Sequence, residues 1–393
     1  MFMQPNRTNV ARCLLGVLLL AGGLYFLIPS PLTPPLLTAE LRQEAESKFR
    51  QMYQREPDHF DTVSIAAELA VSRDQFEVAN QCFAEIPTSH LLYGPGARFQ
   101  QGQVLLKLHQ AAAAERQFRE YLDLPGIEFR IEAQRFLRYL LEIELRFEER
   151  QALLATMHAA GSLTPFEAMY HGFPSILRWN GELAVDSCRQ FYERDPENLN
   201  LQIAWAQYLG GTAHAPEGLT LIDSCLAKHP SNARAVAVKM YLLSELEQYQ
   251  SLAEIAAALP PPQRSDPWHM LRLRAQDALS RHDLDMAERC YRLYLENDAS
   301  FTGCYIGLAE IAGQRGQKDQ KLQYLETSGR LAQIQNRLGG AQFSPGDPTP
   351  YVTLAEHSLA IGLKQQAQLM AEAALTIDPQ NATAKSILQE CQP

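Results

Sequence analysis

AQDALSRHDLDMAERCY, residues 275–291, is the stretch whose register decides the fold. Ala275 is small, Ala287 follows twelve positions later, and the large Tyr291 comes four after that. The same offsets recur at Ala355…Ala367-x3-Ala371, closed by Pro379, and at Ala206…Gly218-x3-Ile222, closed by Pro230. Along the chain the second small residue falls at Ala45, Ala79, Ala114, Ala184, Gly218 and Ala287, in steps of 34, 35, 70, 34 and 69 residues. Each step is one or two periods of 34–35 residues; the empty slots fall at Arg150 and Leu252, the next at Lys321, and the last at Ala367 after an insertion. A fixed period of this size marks stacked helix pairs, each burying its apolar face against its neighbours.

The small residues have a packing reason. Where two helices of a hairpin cross, only Ala or Gly lets the backbones approach closely, and the large residue four later fills the adjoining groove. The first-helix partners are Ala67, Gly102, Gly172, Ala206, Ala275, Ala309 and Ala355, each twelve before its slot. Periodicity predicts hairpins over Asp61–Ser72 and Phe76–Ile86, then Arg98–His109 and Ala112–Leu122. Pro57, Pro196, Pro230 and Pro379 close units, because proline cannot continue a helix. Glu40–Tyr53 reads as a lone second helix, with Leu41, Ala45, Phe49 and Met52 on one stripe, capping the first edge. Large residues fill the small slots at Arg138 and Arg150 (131–160) and at Met240 and Leu252 (233–260), so looser or displaced hairpins are expected there. Pro260-Pro261-Pro262 through Asp266 predicts a rigid loop, Ile334–Pro350 an inserted loop, and Ala382–Cys391 a closing helix.

This layout resembles the tetratricopeptide repeat, W-x2-L-G-x2-Y, then A-x3-F, then P. Tyr305-x2-Leu308-Ala309 and Tyr351-x2-Leu354-Ala355 look like its first half; Ala79-x3-Phe83 and Ala114-x3-Phe118 look like its second. The resemblance covers residues 40–390, as nine units after a half-unit. It implies an all-α, right-handed superhelical solenoid of antiparallel helix pairs over residues 40–393, and the residues before it add one expected transmembrane helix.

That anchor is read from the N-terminus. Residues 1–12 carry Arg7 and Arg12 and no acid, and residues 13–28, CLLGVLLLAGGLYFLI, hold sixteen residues without a charge. Sixteen residues of helix span about 24 Å, and adding Val10 and Ala11, with Arg12 reaching to the interface, closes the gap to a ~30 Å hydrocarbon core. A cleaved signal peptide is the rival, but Leu37-Thr38-Ala39 is a poor cleavage match. Positive charge on the N-terminal side predicts a cytoplasmic tail (1–12) and a periplasmic or extracellular body. Residues 29–39, rich in proline, form a stiff linker.

The charge and the cysteines exclude more than they assign. Net charge is −10, and because only Arg7 and Arg12 are charged among the first 39 residues, the rest carries −12. An acidic body argues against nucleic-acid binding, which needs a concentrated basic face. Seven cysteines form no CxxC pair and no zinc spacing; Cys82, Cys188, Cys225 and Cys290 fall on the inward stretch of second helices, as small apolar residues. HExxH, GxxxxGK[ST], GxSxG and a post-strand GxGxxG are all absent from the sequence. Gly94-Pro95-Gly96…Gly102 reads as an inter-hairpin turn plus a helix-contact glycine, His171 as a helix residue, and His282-Asp283-Leu284-Asp285 as a turn between two helices. No catalytic residue, metal or cofactor is expected.

In such a solenoid the first helices line the inner face, and their exposed side chains meet a partner. By register these are Phe99, Gln103, Arg135, Tyr139 and Tyr170 in the first half, and Gln207, Tyr241, Arg272, Gln276 and Glu310 in the second. Some family members grip a peptide's C-terminal carboxylate with a Lys/Asn clamp; the matching slots here hold Phe99/Gln103 and Arg135/Tyr139, so that clamp looks absent. The expected role is a non-catalytic, membrane-anchored scaffold that binds a helix or peptide and supports assembly of an envelope complex. A small-molecule or glycan site around Tyr139, Tyr170 and Tyr241 is the alternative.

Overall fold

The computed structural model describes residues 59–90, 94–174, 182–340 and 346–392, with the isolated positions 47, 54 and 55. The expected tail (1–12), membrane span (13–28), linker (29–39) and, apart from Ser47, the half-unit helix (40–53) lie outside the described residues. No helix among the described residues is long and apolar enough to cross a membrane. The described residues form nineteen helices and no strand.

These helices fall into two compact units. One holds the described residues up to Leu145 together with Gln190–Asn198; the other holds Arg146–Arg189 and the chain from Leu199 onward. The first unit contains α1 (Phe60–Ser72), α2 (Phe76–Glu85), α3 (Gly94–Lys107), α4 (Ala111–Leu122) and α5 (Arg130–Ile143). Here α1 pairs with α2 and α3 with α4, and each stacks on the next. The second begins with α6 (Phe147–Ala159) and α7 (Pro165–Gly172), and the division passes through α8 (Glu182–Arg194). It continues with α9 (Leu199–Gly210), α10 (Ala215–Lys228), α11 (Ala233–Glu245), α12 (Tyr249–Ala258), α13 (Trp268–Ser280) and α14 (Leu284–Asn297). It closes with α15 (Thr302–Gln314), α16 (Lys318–Gly340), α17 (Thr349–Ala360), α18 (Lys364–Ile377) and α19 (Ala382–Cys391), the expected last helix.

One local device recurs at seven of the turns between described helices. Asp74, His109, Leu145, Glu247 and His282 are non-glycine residues with positive φ, and Gly316 and Gly362 adopt the same left-handed conformation. The next amide then reaches back over the last turn, as Gln75 N–H to Ala70 O (2.9 Å), Gln110 to Leu105 (2.9 Å), Gln248 to Leu243 (2.8 Å), Asp283 to Ala278 (2.9 Å) and Leu363 to Ser358 (2.9 Å). These bonds satisfy carbonyls that a helix end leaves open. Each left-handed residue stands five positions before a register slot: Ala79, Ala114, Arg150, Leu252, Ala287, Lys321 and Ala367. The period therefore holds even where the slot residue is large.

The small-to-large packing is equally direct. A Cβ on Gly102 would sit 2.7 Å from the Phe118 ring, and one on Gly218 would sit 2.8 Å from the carbonyl of Ala206, its partner twelve before. Tyr291 lies against Gly307 of the following hairpin. Arginines close other helix ends. Arg98 donates to the carbonyls of Phe83 (3.2 Å) and Ile86 at the end of α2, Arg130 to Leu122 (3.0 Å) and Leu124 (3.1 Å) after α4, and Arg274 to Pro260 (2.7 Å) after α12. Cations there complement the negative end of the helix dipole.

Several expectations change. The Gly94-Pro95-Gly96 stretch is not a turn but the start of α3, where proline is tolerated because its missing N–H is not needed. The inserted segment before the last repeat is helix through Gly340, because Leu331, Ile334 and Leu338 bury their side chains in the core of the last repeats. In the weak units, α5 and α6 fall in different units, while α11 and α12 meet less extensively than α9 with α10 or α13 with α14. Gly172, twelve before Ala184, instead packs on α18, where its Cβ would lie 3.3 Å from Leu369 and 3.6 Å from Met370. Ala168, Met169 and Phe173 join Leu369, Met370 and Ala373 in one buried cluster. A ladder of neighbours alone has no such long-range contact. The thiols of Cys188, Cys225 and Cys290 are buried, and Cys82 is half-buried.

Candidate interaction surface on the first helices

The second unit sets four first helices side by side: α9 meets α11, α11 meets α13, and α13 meets α15. Gln207, Tyr241 and Arg272 are half-buried on this row, and Gln276 and Glu310 are exposed. Gln207 and Tyr241 converge on His269, three residues before Arg272 on α13. Gln207 Nε2 lies 2.9 Å from His269 Nε2, and the Tyr241 and His269 rings are 5.8 Å apart. An amide nitrogen donates, so Nε2 is the acceptor in this contact. Glycine makes room for the tyrosine: a Cβ on Gly210 would lie 2.6 Å from the Tyr241 ring.

Farther along α13, Arg272 bonds Gln276 (3.4 Å), and on α15 Gln314 bonds Glu310 (3.4 Å) and meets His282 (3.3 Å). Ile306, one turn before Glu310, is 53 % exposed. The row thus offers a phenol, an imidazole, amides, a guanidinium, a carboxylate and one apolar side chain. Such a set of groups is able to hydrogen-bond a polypeptide and make one apolar contact; this cluster contains neither a nucleophile–base pair nor convergent carboxylates. No group of three or more His, Cys, Asp or Glu among the described residues could hold a metal ion. Burial pushes the Cys290 thiol up to about 11, away from thiolate chemistry.

Three of the expected groove residues are interior instead. Phe99 is buried among Phe118, Tyr121, Phe129 and Phe136, stacked on Phe129 with centroids 5.2 Å apart. Gln103 is buried one turn later on the same helix. Tyr170 is buried beneath Arg150, whose guanidinium lies 5.9 Å from its ring and 5.1 Å from that of Phe147. For Phe99 and Tyr170 the physical reason is aromatic: these rings bury more area in the core than a groove leaves them, and Phe129 comes from a loop that helix register does not address. Losing Tyr170 removes one of the three tyrosines on which the small-molecule alternative depended. Arg135 and Tyr139 are half-buried on α5. Register missed His269, although its spacing of three from Arg272 was a usable signal.

A second polar group gathers where α6, α7 and α18 meet. Gln151 on α6 donates to the Tyr170 carbonyl (3.3 Å) and contacts His171 Nδ1 (2.9 Å), and His158 meets Glu372 at 2.8 Å. The α6 end is tied by Glu148, which accepts from the Trp268 amide (3.2 Å), while Phe147 stacks on the Trp268 ring (6.5 Å). Burial, with His158 and Arg150 nearby, lowers the His171 pKa to about 4.

No family model matches the chain, and no curated protein matches it. Among solved structures it is similar to a tetratricopeptide repeat protein from Parabacteroides merdae, at 13 % identity over 76 % of this chain and 98 % of that one, with a TM-score of 0.28. It is also similar to Pseudomonas aeruginosa pilF (13 % identity, 63 % and 98 % covered, TM-score 0.31) and to the human IFIT1 dimer (12 %, 89 % and 94 %, TM-score 0.36). At such scores the likeness carries no functional argument, and the repeat assignment rests on the turns and hairpins themselves.

Proposed function

We propose that this chain is a non-catalytic scaffold that binds a helix or extended peptide along the first helices α9, α11, α13 and α15. The observation that carries it is the convergence of Gln207, Tyr241 and His269 from three successive helices, continued by Arg272, Gln276, Ile306 and Glu310. A pre-formed polar row binds a partner without the ordering cost of a flexible one. The uncharged stretch 13–28 supports anchoring to a membrane with the body outside the cytoplasm, where the scaffold serves assembly of an envelope complex. Anchoring raises the effective concentration of any partner confined to the same membrane.

The test is crosslinking in intact membranes followed by capture of the full-length chain. Stoichiometric partners are expected with the parent protein and are lost when Tyr241→Ala, Arg272→Ala and Gln276→Ala are combined with helicity preserved. Partners retained by that variant would move the binding surface elsewhere. Alkaline extraction and protease accessibility test the anchor separately: a body released at high pH, or protected from external protease, overturns that part of the proposal.

A further inference from the structure

The residue four after each slot is where a hairpin receives its neighbour, and in all but one of the described hairpins it is buried, as at Phe83, Phe118, Ile222, Tyr291 and Ala371. The exception is Leu325, four after Lys321 on α16, which is 43 % exposed, with Leu322 at 64 %. The cause is the lengthening of α16. Its second half buries Leu331, Ile334 and Leu338 in the core with α17 and α18, and the opposite face of the helix is left uncovered.

That uncovered face has a symmetric pattern. Leu322, Leu325, Gly329 and Ala332 follow at spacings of three, four and three, the seam of a helix pair, and all four are exposed. Two large residues are followed by two small ones, and a Cβ on Gly329 would meet nothing within 4 Å. Reversing the helix about Thr327 places Leu325 on Gly329 and Leu322 on Ala332. It is the large-on-small fit already seen for Tyr291 on Gly307 and Phe118 on Gly102. A stripe that complements its own reversal is what an isologous twofold contact requires.

We propose that α16 is a self-association surface, pairing antiparallel with α16 of a second copy of this chain. Charge agrees with that occupant. Glu326 and Arg330 flank the stripe and are paired within the helix at 2.7 Å, and the reversal brings Arg330 of each copy towards Glu326 of the other. No uncompensated like charge faces its symmetry mate on that flank. About three turns of helix bury much less than the ~1,600 Å² of a standard interface, so the dimer is weak and driven by concentration, or by confinement in a membrane. The surface lies apart from the first-helix row, so this proposal stands or falls independently of the scaffold reading.

The experiment mixes full-length Leu325→Cys protein with full-length Gly329→Cys protein under mild oxidation. The disulfide-linked product is expected mainly between the two different variants; an antiparallel pair brings those positions together, whereas a parallel pair would join like to like. Sedimentation of the parent chain in detergent should show concentration-dependent dimer that Leu325→Glu lowers at least tenfold, with unchanged helicity because the side chain is on the surface. Crosslinking no higher than that of a Val78→Cys control, or dimer undiminished by Leu325→Glu, overturns the proposal. Capture of a different protein's helix by α16, with no self-crosslink, also overturns it.

Discussion

A single backbone conformation recurs at the residue scale, and the side chains that hold it are mostly unsuited to it. Left-handed φ costs a non-glycine residue roughly 1–2 kcal/mol, yet Asp74, His109, Leu145, Glu247 and His282 all adopt it. They are held by the back-bonded amides around them, and Gly316 and Gly362 show what relieves the strain. Glu247 is the cleanest site because it is exposed. Glu247→Gly is expected to stabilise the fold by about 1 kcal/mol, and Gly362→Ala to destabilise it by a similar amount. Urea melts of the two variants check the pair; a destabilising Glu247→Gly would mean that the turn does not limit stability. These turns stand at a constant offset from the slots, but sequence periodicity did not single them out and ended one expected helix on His109 itself. It could not show their conformation, since only two of the seven are glycine.

Between elements, stacking depends on one large residue entering the space a small one leaves. Tyr291 on α14 lies against Gly307 on α15, so Gly307→Ala forces either the ring or the helix to move, at a cost of about 1–3 kcal/mol. Tyr291→Leu in that background should recover part of the loss although it is destabilising alone. A double-mutant cycle measures this coupling, and additive effects would show that the two helices do not meet as described. The Ala287-x3-Tyr291 spacing was legible in the sequence. The identity of its acceptor was not, because register names the helix that donates the knob and not the residue that accepts it. The same limit applies to Phe99: its position on a first helix was foreseen, but its four aromatic neighbours draw it inward.

For the whole molecule, the informative contacts are those that bridge distant parts of the second unit. Helix α7 packs on α18, with His171 half-buried beside His158 and Arg150 and bonded to Gln151. Its pKa falls to about 4 from an ordinary 6.5, so the folded chain resists the proton that the unfolded chain accepts. The contribution of His171 is fully present above pH 6.5 and is lost as pH falls towards 4. Stability is therefore expected to drop across that window before most carboxylates titrate. His171→Gln should flatten the decline in melts at pH 7, 6, 5 and 4.5; an unchanged slope would place its cause elsewhere.

What the sequence determined by itself is whatever repeats or acts locally. The 34–35-residue period, the register slots at Arg150, Leu252 and Lys321, and the closing helix at Ala382–Cys391 all follow from side-chain spacing and helix-ending residues. The tertiary structure decided which helix meets which when the nearest neighbour is not the partner. It sent Gly172 to Leu369, drew Phe99 and Tyr170 into the core, and extended α16 past the point where a loop was expected. Those outcomes turn on competition among apolar surfaces for burial across some two hundred residues of chain. Such competition leaves no period in the sequence, because burial depends on contact between side chains and not on their spacing.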